Sequence, residues 1–263
     1  MNDLKVMLES ELNDLDFIHT DFHLEAFNGG TVNSSYHLQT ANKSYFVKTF
    51  ESDRIANLDR KKLFDIQAVL ATKGLAVKPV YLSKSLSFQI DQWLDSPTLD
   101  REHLSNLNIT KSLGSALSKL HNSKIDAPEL DLPGQWQHYL SLIDVPVSSS
   151  LLLTLEKYST IWREACSTKM VFCHNDLALS HVTHSQPTKI FDWEYCAMSS
   201  PYFDLASCIA VNGFSSTDEA SLCAFYAQYS EQRLSAVIYN VSLMKPLVEL
   251  TNKLWYQAAR LST

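Results

Sequence analysis

The sequence predicts an α+β chain in two parts, a β-rich lobe over residues 1–94 and a mainly helical lobe over 95–263. Three observations carry this prediction. Short apolar runs separated by polar turns dominate the first part. Apolar residues recur every three or four positions through most of the second. The polar, turn-forming Asp95-Ser96-Pro97 stands between them.

Each element follows from its local pattern. Leu24 to Phe27 is short and apolar, and Asn28-Gly29-Gly30-Thr31-Val32-Asn33-Ser34 reads as a turn. Ser35 to Thr40 and Ser44 to Phe50 form a hairpin around Ala41-Asn42-Lys43. From Ile55 to Lys73, the residues Ile55, Leu58, Leu63, Ile66 and Leu70 keep helical spacing, and Gly74 stands where a C-cap belongs. A second strand pair covers Val77 to Leu82 and Ser87 to Leu94. Beyond the linker, Ile109, Leu113, Ala116, Leu117 and Leu120 form one helical stripe. Leu151 to Ala165, Pro201 to Val211, Glu219 to Tyr229 and Leu243 to Leu261 suggest further helices. One island of strand character, Met170 to Tyr195, interrupts them.

Composition narrows the function. With 45% hydrophobic and 19% charged residues the chain has an ordinary globular balance. A formal charge of −7 and no Lys/Arg-rich stripe argue against a nucleic-acid backbone as partner and favour cationic ligands and metal ions. Met1 to Phe17 is acidic and amphipathic, unlike a signal peptide. The apolar run from Leu234 to Leu250 is broken by Asn240, Lys245 and Pro246, so no membrane span is expected. The cysteines, 5 in number, fit reduced thiols in a cytoplasmic protein.

The island Val171-Phe172-Cys173-His174-Asn175-Asp176 to Tyr195 carries the chemistry. If Ser185 to Thr188 closes a hairpin, His184 faces Lys189, Thr183 faces Ile190 and His181 faces Asp192. Asp176, His181 and Asp192 then meet. Two carboxylates and an imidazole at one point suggest a metal site beside a general base.

His174-x-Asp176, followed by Ile190-Phe191-Asp192-Trp193-Glu194-Tyr195, resembles the choline kinase, thiamine kinase and aminoglycoside phosphotransferase group, and its choline/thiamine branch most of all. The resemblance covers most of the chain and implies a two-lobed, protein-kinase-like fold. Phe27 to Tyr36 resembles that group's phosphate loop, and Tyr45-Phe46-Val47-Lys48 its nucleotide-lysine strand. Gln92-Trp93-Leu94-Asp95-Ser96 is similar to its hinge, and Leu117 to His121 to the helix before its catalytic loop. The implied activity is transfer of a phosphoryl group from ATP to the hydroxyl of a small molecule.

On this resemblance Asp176 accepts the substrate proton and Asp192 holds Mg²⁺ against the phosphates. Lys48 pairs with the α/β-phosphates, and Gly29, Gly30, Thr31, Asn33 and Ser34 cover them. Gln92 and Trp93 belong to the nucleotide hinge. His174 and Asp204 brace the catalytic loop. Two positions depart from the pattern. The second metal ligand is normally asparagine, and here it is His181, which points to Mn²⁺ as the alternative ion. The helix glutamate that pairs with the lysine falls near Leu63, and Asp59, one turn earlier, could substitute. Trp193, Glu194, Tyr195 and Trp255 are the candidates for a cationic acceptor of choline or thiamine type. An aminoglycoside-type kinase and a catalytically impaired nucleotide-binding protein are the alternatives.

Overall fold

Alternating burial along short strands builds the first unit of the chain. The computed structural model describes residues 2–18, 21–27, 33–143 and 148–261. It divides into two units, Met1–Asp95 and Ser96–Thr263.

In the first unit, β1 (Phe22–Phe27), β2 (Ser35–Thr40), β3 (Ser44–Thr49), β4 (Pro79–Leu82) and β5 (Phe88–Gln92) form one antiparallel sheet ordered β1-β2-β3-β5-β4. Tyr45, Val47 and Thr49 turn one way along β3 and are buried, so Phe46 and Lys48 face the other way. Helix α1 (Asn2–Asn13) lays Leu8 and Leu12 onto the core of Leu38, Val47, Phe88 and Ile90. Across the sheet, Gln67 of α2 (Arg60–Thr72) accepts a hydrogen bond from Gln89 of β5 at 2.9 Å.

The expected helix from Ile55 begins later, at Arg60. Glu51–Arg54 is a 3-10 turn that buries Ile55 and Ala56, so Ile55 owes its place in the apolar pattern to the turn. Asp59 caps α2 by accepting the Lys62 N–H at 3.0 Å. The helix ends on Gly74 at φ 77°, with Gly74 and Leu75 donating to Ala71 and Leu70 at 3.0 Å each. This paired closure needs the left-handed conformation that glycine adopts without strain.

The second unit is largely helical. Every member of the predicted stripe on α3 (Asn106–His121) is buried. Gly114 lets α3 approach α7 (Ser216–Tyr229) closely, since a Cβ there would meet Phe225 Cβ at 2.9 Å. Helix α4 (Leu132–Leu142), which the sequence reading did not anticipate, starts on the Asp131 cap with Pro133 in its first turn. It buries Leu132, Trp136 and Tyr139. Helices α5 (Ser149–Thr168) and α6 (Pro201–Val211) follow. Helix α8 (Leu234–Leu261) begins nine residues before the expected Leu243 and runs through Pro246. Its continuous buried face, from Val237 to Ala258, outweighs the hydrogen bond that a proline withholds. Among the described residues no helix is long and apolar enough to cross a membrane.

The strand island is mostly loop. Val171–Cys173 (β6) pairs with Ala197–Ser199 (β7). The expected hairpin exists only as a bridge, and it is slipped by one residue. Val182 pairs with Ile190, and the Phe191 N–H reaches the His181 carbonyl at 2.8 Å. Val182 and Ile190 are 0% and 1% exposed, so burial of this apolar pair sets the register in place of the expected Thr183–Ile190 pairing.

Candidate active site

The catalytic-loop candidates hang on one buried carboxylate. Asp204 lies in the first turn of α6 and is 0% exposed. Its Oδ2 accepts the His174 N–H at 2.9 Å, and its Oδ1 accepts the Asn175 N–H at 2.7 Å. His121, at the end of α3, donates from Nε2 to Oδ2 at 3.0 Å, while its Nδ1 accepts from the Tyr226 hydroxyl at 2.8 Å. Burial alone raises the Asp204 carboxyl. The His121 hydrogen bond, the charges of His121 and His174 and the loop N–H outweigh it and hold the group below the usual carboxylate range.

Asn175 adopts φ 64°, a left-handed turn that asparagine tolerates better than most residues. Its side chain donates to the Tyr195 carbonyl at 2.9 Å and accepts from Ser199 at 2.8 Å. The turn leaves Asp176 partly exposed directly after the buried His174 and Asn175. His174 Nδ1 accepts the Asp176 N–H at 3.3 Å, and Nε2 donates to the Phe191 carbonyl at 2.8 Å. Burial, with the charge of His181 adding to it, pushes His174 down to about 4. It is therefore a neutral strut between the two arms of the loop. Asn212, at the end of α6, continues the brace by accepting the Leu179 N–H at 2.9 Å and donating to the Leu177 carbonyl at 3.0 Å.

Asp192 also sits in the left-handed region, at φ 62°, which ends the strand path and turns its carboxylate towards His181. His181 Nε2 lies 3.4 Å from Asp192 Oδ2, so the two meet although the hairpin register differs from the expected one. His181 Nδ1 lies 2.9 Å from the Asp176 backbone carbonyl.

The acceptor candidates divide. Trp193, expected against the acceptor, is instead a core residue, 4% exposed. Its ring centroid lies 5.0 Å from His174 and its Nε1 donates to the Ile190 carbonyl at 3.2 Å. Glu194 and Tyr195 follow on the same 3-10 turn, and the Tyr195 hydroxyl accepts from Trp255 Nε1 at 3.0 Å. Tyr139 of α4 joins this group: burial first, then the charge of Glu194, pushes both tyrosine hydroxyls upward. An acid therefore lies within electrostatic reach of several aromatic rings.

In the first unit, Lys48 is half-buried on the face of β3 away from the α1 core. Gly29, Gly30 and Thr31 lie outside the described residues. Ser34, expected to cover phosphate, is committed within the unit. Its N–H and hydroxyl go to Glu51 at 3.0 and 2.9 Å, and its carbonyl accepts the Thr49 N–H at 2.9 Å. Asn33 Oδ1 accepts the Ser52 N–H at 2.8 Å. Arg60 is buried over the Phe50 ring and bonds Ser52 and Asp53. Asp59, expected to substitute for the missing glutamate, has its carboxylate on its own helix N-terminus instead. Gln92 is exposed, its N–H on the Lys78 carbonyl, and Trp93 stacks on His37 with centroids 4.0 Å apart.

Sequence reasoning did not assign Glu51, Arg60, Asn212 or Tyr139. Glu51 lies on the 3-10 turn after β3 and Arg60 opens α2, neither within a motif. Asn212 is a helix-end asparagine like many others, and Tyr139 lies on an unanticipated helix.

A β-sheet unit with an outward lysine and a helical unit with a braced His-x-Asp loop and a second aspartate define a kinase-like phosphotransferase fold. The comparison with known families agrees: residues 23–237 match the phosphotransferase enzyme family (APH), and the chain belongs to it. It is similar to a protein LicA homolog of Mycoplasma capricolum subsp. capricolum, 27% identical over 139 residues. That match spans 51% of this chain and 56%, about half, of the relative. The fold resembles choline kinase LicA from Streptococcus pneumoniae, with TM-score 0.75 and 20% identity over 98% of this chain and 91% of that one. It also resembles an ethanolamine kinase of Plasmodium vivax, with TM-score 0.72 and 17% identity over 96% and 80%.

Proposed function

We propose that this chain transfers a phosphoryl group from ATP, with Mg²⁺, to the hydroxyl of a small cationic alcohol of choline or thiamine type. The observation that carries the reading is the Asp204-held loop, which leaves Asp176 partly exposed with its carbonyl on His181, the ring that in turn meets Asp192. The donor set fits a divalent ion, since Asp192 offers a hard carboxylate oxygen. When bound, the ion supplies neutralisation of phosphate charge.

Asp176 accepts the hydroxyl proton as the acceptor oxygen attacks the γ-phosphorus and the bond to the β,γ-bridging oxygen breaks, releasing ADP. Its backbone is fixed at N–H and carbonyl by His174 and His181, which sets where its side chain leaves the loop. Lys48 pairs with the nucleotide phosphates. Glu194, with Tyr195 and Trp255, offers a cationic head group both charge and aromatic faces. The names of LicA from Streptococcus pneumoniae and the Plasmodium vivax kinase support this acceptor class.

An ATP-consumption screen against choline, ethanolamine, thiamine and aminoglycosides tests the reading. Turnover is expected with a cationic alcohol, and kcat is expected to fall about 10²–10⁴-fold in Asp176→Asn with nucleotide binding nearly unchanged. Turnover only with aminoglycosides would replace the acceptor class. Full activity in a folded Asp176→Asn protein would remove the base.

A further inference from the structure

We propose that His181 is a nitrogen ligand that, with Asp192, chelates a divalent transition ion and gives this site a preference for such ions over Mg²⁺. The inference deepens the kinase reading and rests on its placing of the metal at Asp192. It starts from the tautomer of one ring. His181 Nδ1 lies 2.9 Å from the Asp176 carbonyl oxygen, which can only accept, so Nδ1 carries a proton. The Ala178 N–H also approaches Nδ1, but at 3.4 Å, and it donates to the same Asp176 carbonyl at 3.0 Å. That contact does not compete for the Nδ1 assignment.

In the neutral ring Nε2 then holds a lone pair, and it faces Asp192 Oδ2 at 3.4 Å. A lone pair and a carboxylate oxygen repel, and either a second ring proton on Nε2 or a metal cation between the two atoms relieves this, so metal titration is what tells them apart. Metal–nitrogen and metal–oxygen bonds of about 2.0–2.2 Å place two ligands of one ion roughly 2.9–3.5 Å apart for bond angles of about 90–110°. The observed separation falls within that span without rearrangement. Ring orientation also fits, because metal-binding histidines characteristically donate their other N–H to a backbone carbonyl or carboxylate, as Nδ1 does here. His181 and Asp192 side chains are 17% and 29% exposed, so an ion can enter from solvent. His174 lies beside the ring at 5.7 Å, but both its nitrogens are engaged on the loop, so it does not act as a further ligand.

An imidazole nitrogen favours later first-row ions over Mg²⁺, which prefers oxygen. The test is titration of the nucleotide-free full chain with Co²⁺, followed by visible absorption and calorimetry, in wild type, His181→Asn and Asp192→Asn. Saturable binding is expected in wild type, weakened roughly tenfold or more in His181→Asn and lost in Asp192→Asn. Asparagine offers an oxygen of similar reach, so Mg²⁺ affinity is expected to hold or rise as Co²⁺ affinity falls. Thermal melting checks each fold, and if Asp192→Asn does not fold, the His181→Asn comparison decides alone. Equal Co²⁺ affinity and spectrum in wild type and His181→Asn, or no saturable Co²⁺ binding by wild type, would overturn the proposal. Mg²⁺-supported turnover on the same preparations separates the two readings. Turnover with an unchanged Co²⁺ response sinks only the His181 ligand, whereas the expected Co²⁺ response without turnover on any acceptor sinks only the kinase.

Discussion

In each unit one carboxylate gathers several donors, and the two carboxylates work in different surroundings. Asp204 is completely buried and gathers donors from the loop after β6 and the end of α3. Glu51 is partly exposed on a 3-10 turn and gathers Ser34, just before β2, and Thr49, at the end of β3. Hydrogen bonds of similar length therefore carry different weight. In a low-dielectric interior a charge-assisted bond is strong and an orphaned donor expensive, whereas near the surface water can replace either partner. The loop bearing the proposed base is the one held without solvent.

The largest expected effect is at Asp204. Asp204→Ala leaves the N–H groups of His174 and Asn175 and the His121 ring without their acceptor, each loss worth about 1–3 kcal/mol. A destabilisation of at least about 3 kcal/mol is expected in urea unfolding, with loss of activity even where folded protein remains. A change below about 1 kcal/mol would mean that water replaces the carboxylate, and the contrast with Glu51 would collapse.

A smaller effect sharpens the same contrast through pH. Burial holds His174 down to about 4, well under the usual histidine value of about 6.5. A depressed group contributes stability that is present above its unfolded value and lost as pH falls through its folded value. His174 is neutral in both states above about 6.5; below that the unfolded chain binds the proton first. Stability is therefore expected to decline between about pH 6.5 and 4, by up to about 3 kcal/mol from this residue. Unfolding of wild type and His174→Gln across that range checks it. Parallel pH profiles would show that His174 is not the group responsible.

How far these features were legible in sequence follows their physics. The α3 stripe could be read because helical period and burial coincide at every member, from Ile109 to Leu120. The β2–β3 hairpin could be read because its polar turn separates two alternating runs. Ile55 misled because it keeps helical spacing while packing from a 3-10 turn, and α4 was hidden because Pro133-Gly134 resembles a breaker. Asp176, Asp192 and His181 could be grouped by pattern, but the path joining them could not. It depends on left-handed residues at Asn175 and Asp192 and on the Val182–Ile190 pair, none of which has a periodic signature. Trp193 misled for a related reason: it sits between two site candidates in sequence, yet its side chain turns inward.

The smallest expected effect is at Glu51, and its sign in acid is what tests the comparison. Burial raises this carboxyl, but the hydrogen bonds from Thr49 and Ser34 outweigh it and leave it below the usual range. Glu51→Gln keeps one oxygen acceptor and removes the charge, so a loss of about 1 kcal/mol is expected, the difference between charged and neutral hydrogen bonds. The Ser34 N–H, bonded to Glu51 at 3.0 Å and to the Thr49 hydroxyl at 3.1 Å, is the local reporter. Its hydrogen exchange should quicken roughly fivefold in the variant at neutral pH, the rate equivalent of about 1 kcal/mol. A depressed carboxylate contributes stability above its unfolded value and loses it as pH falls through its folded value. Glutamine does not titrate, so the gap between wild type and variant should narrow as pH falls through the carboxylate range. A gap that persists unchanged into acid would mean that Glu51 acts by shape alone. An effect as large as that of Asp204→Ala would show that solvent access does not separate the two braces.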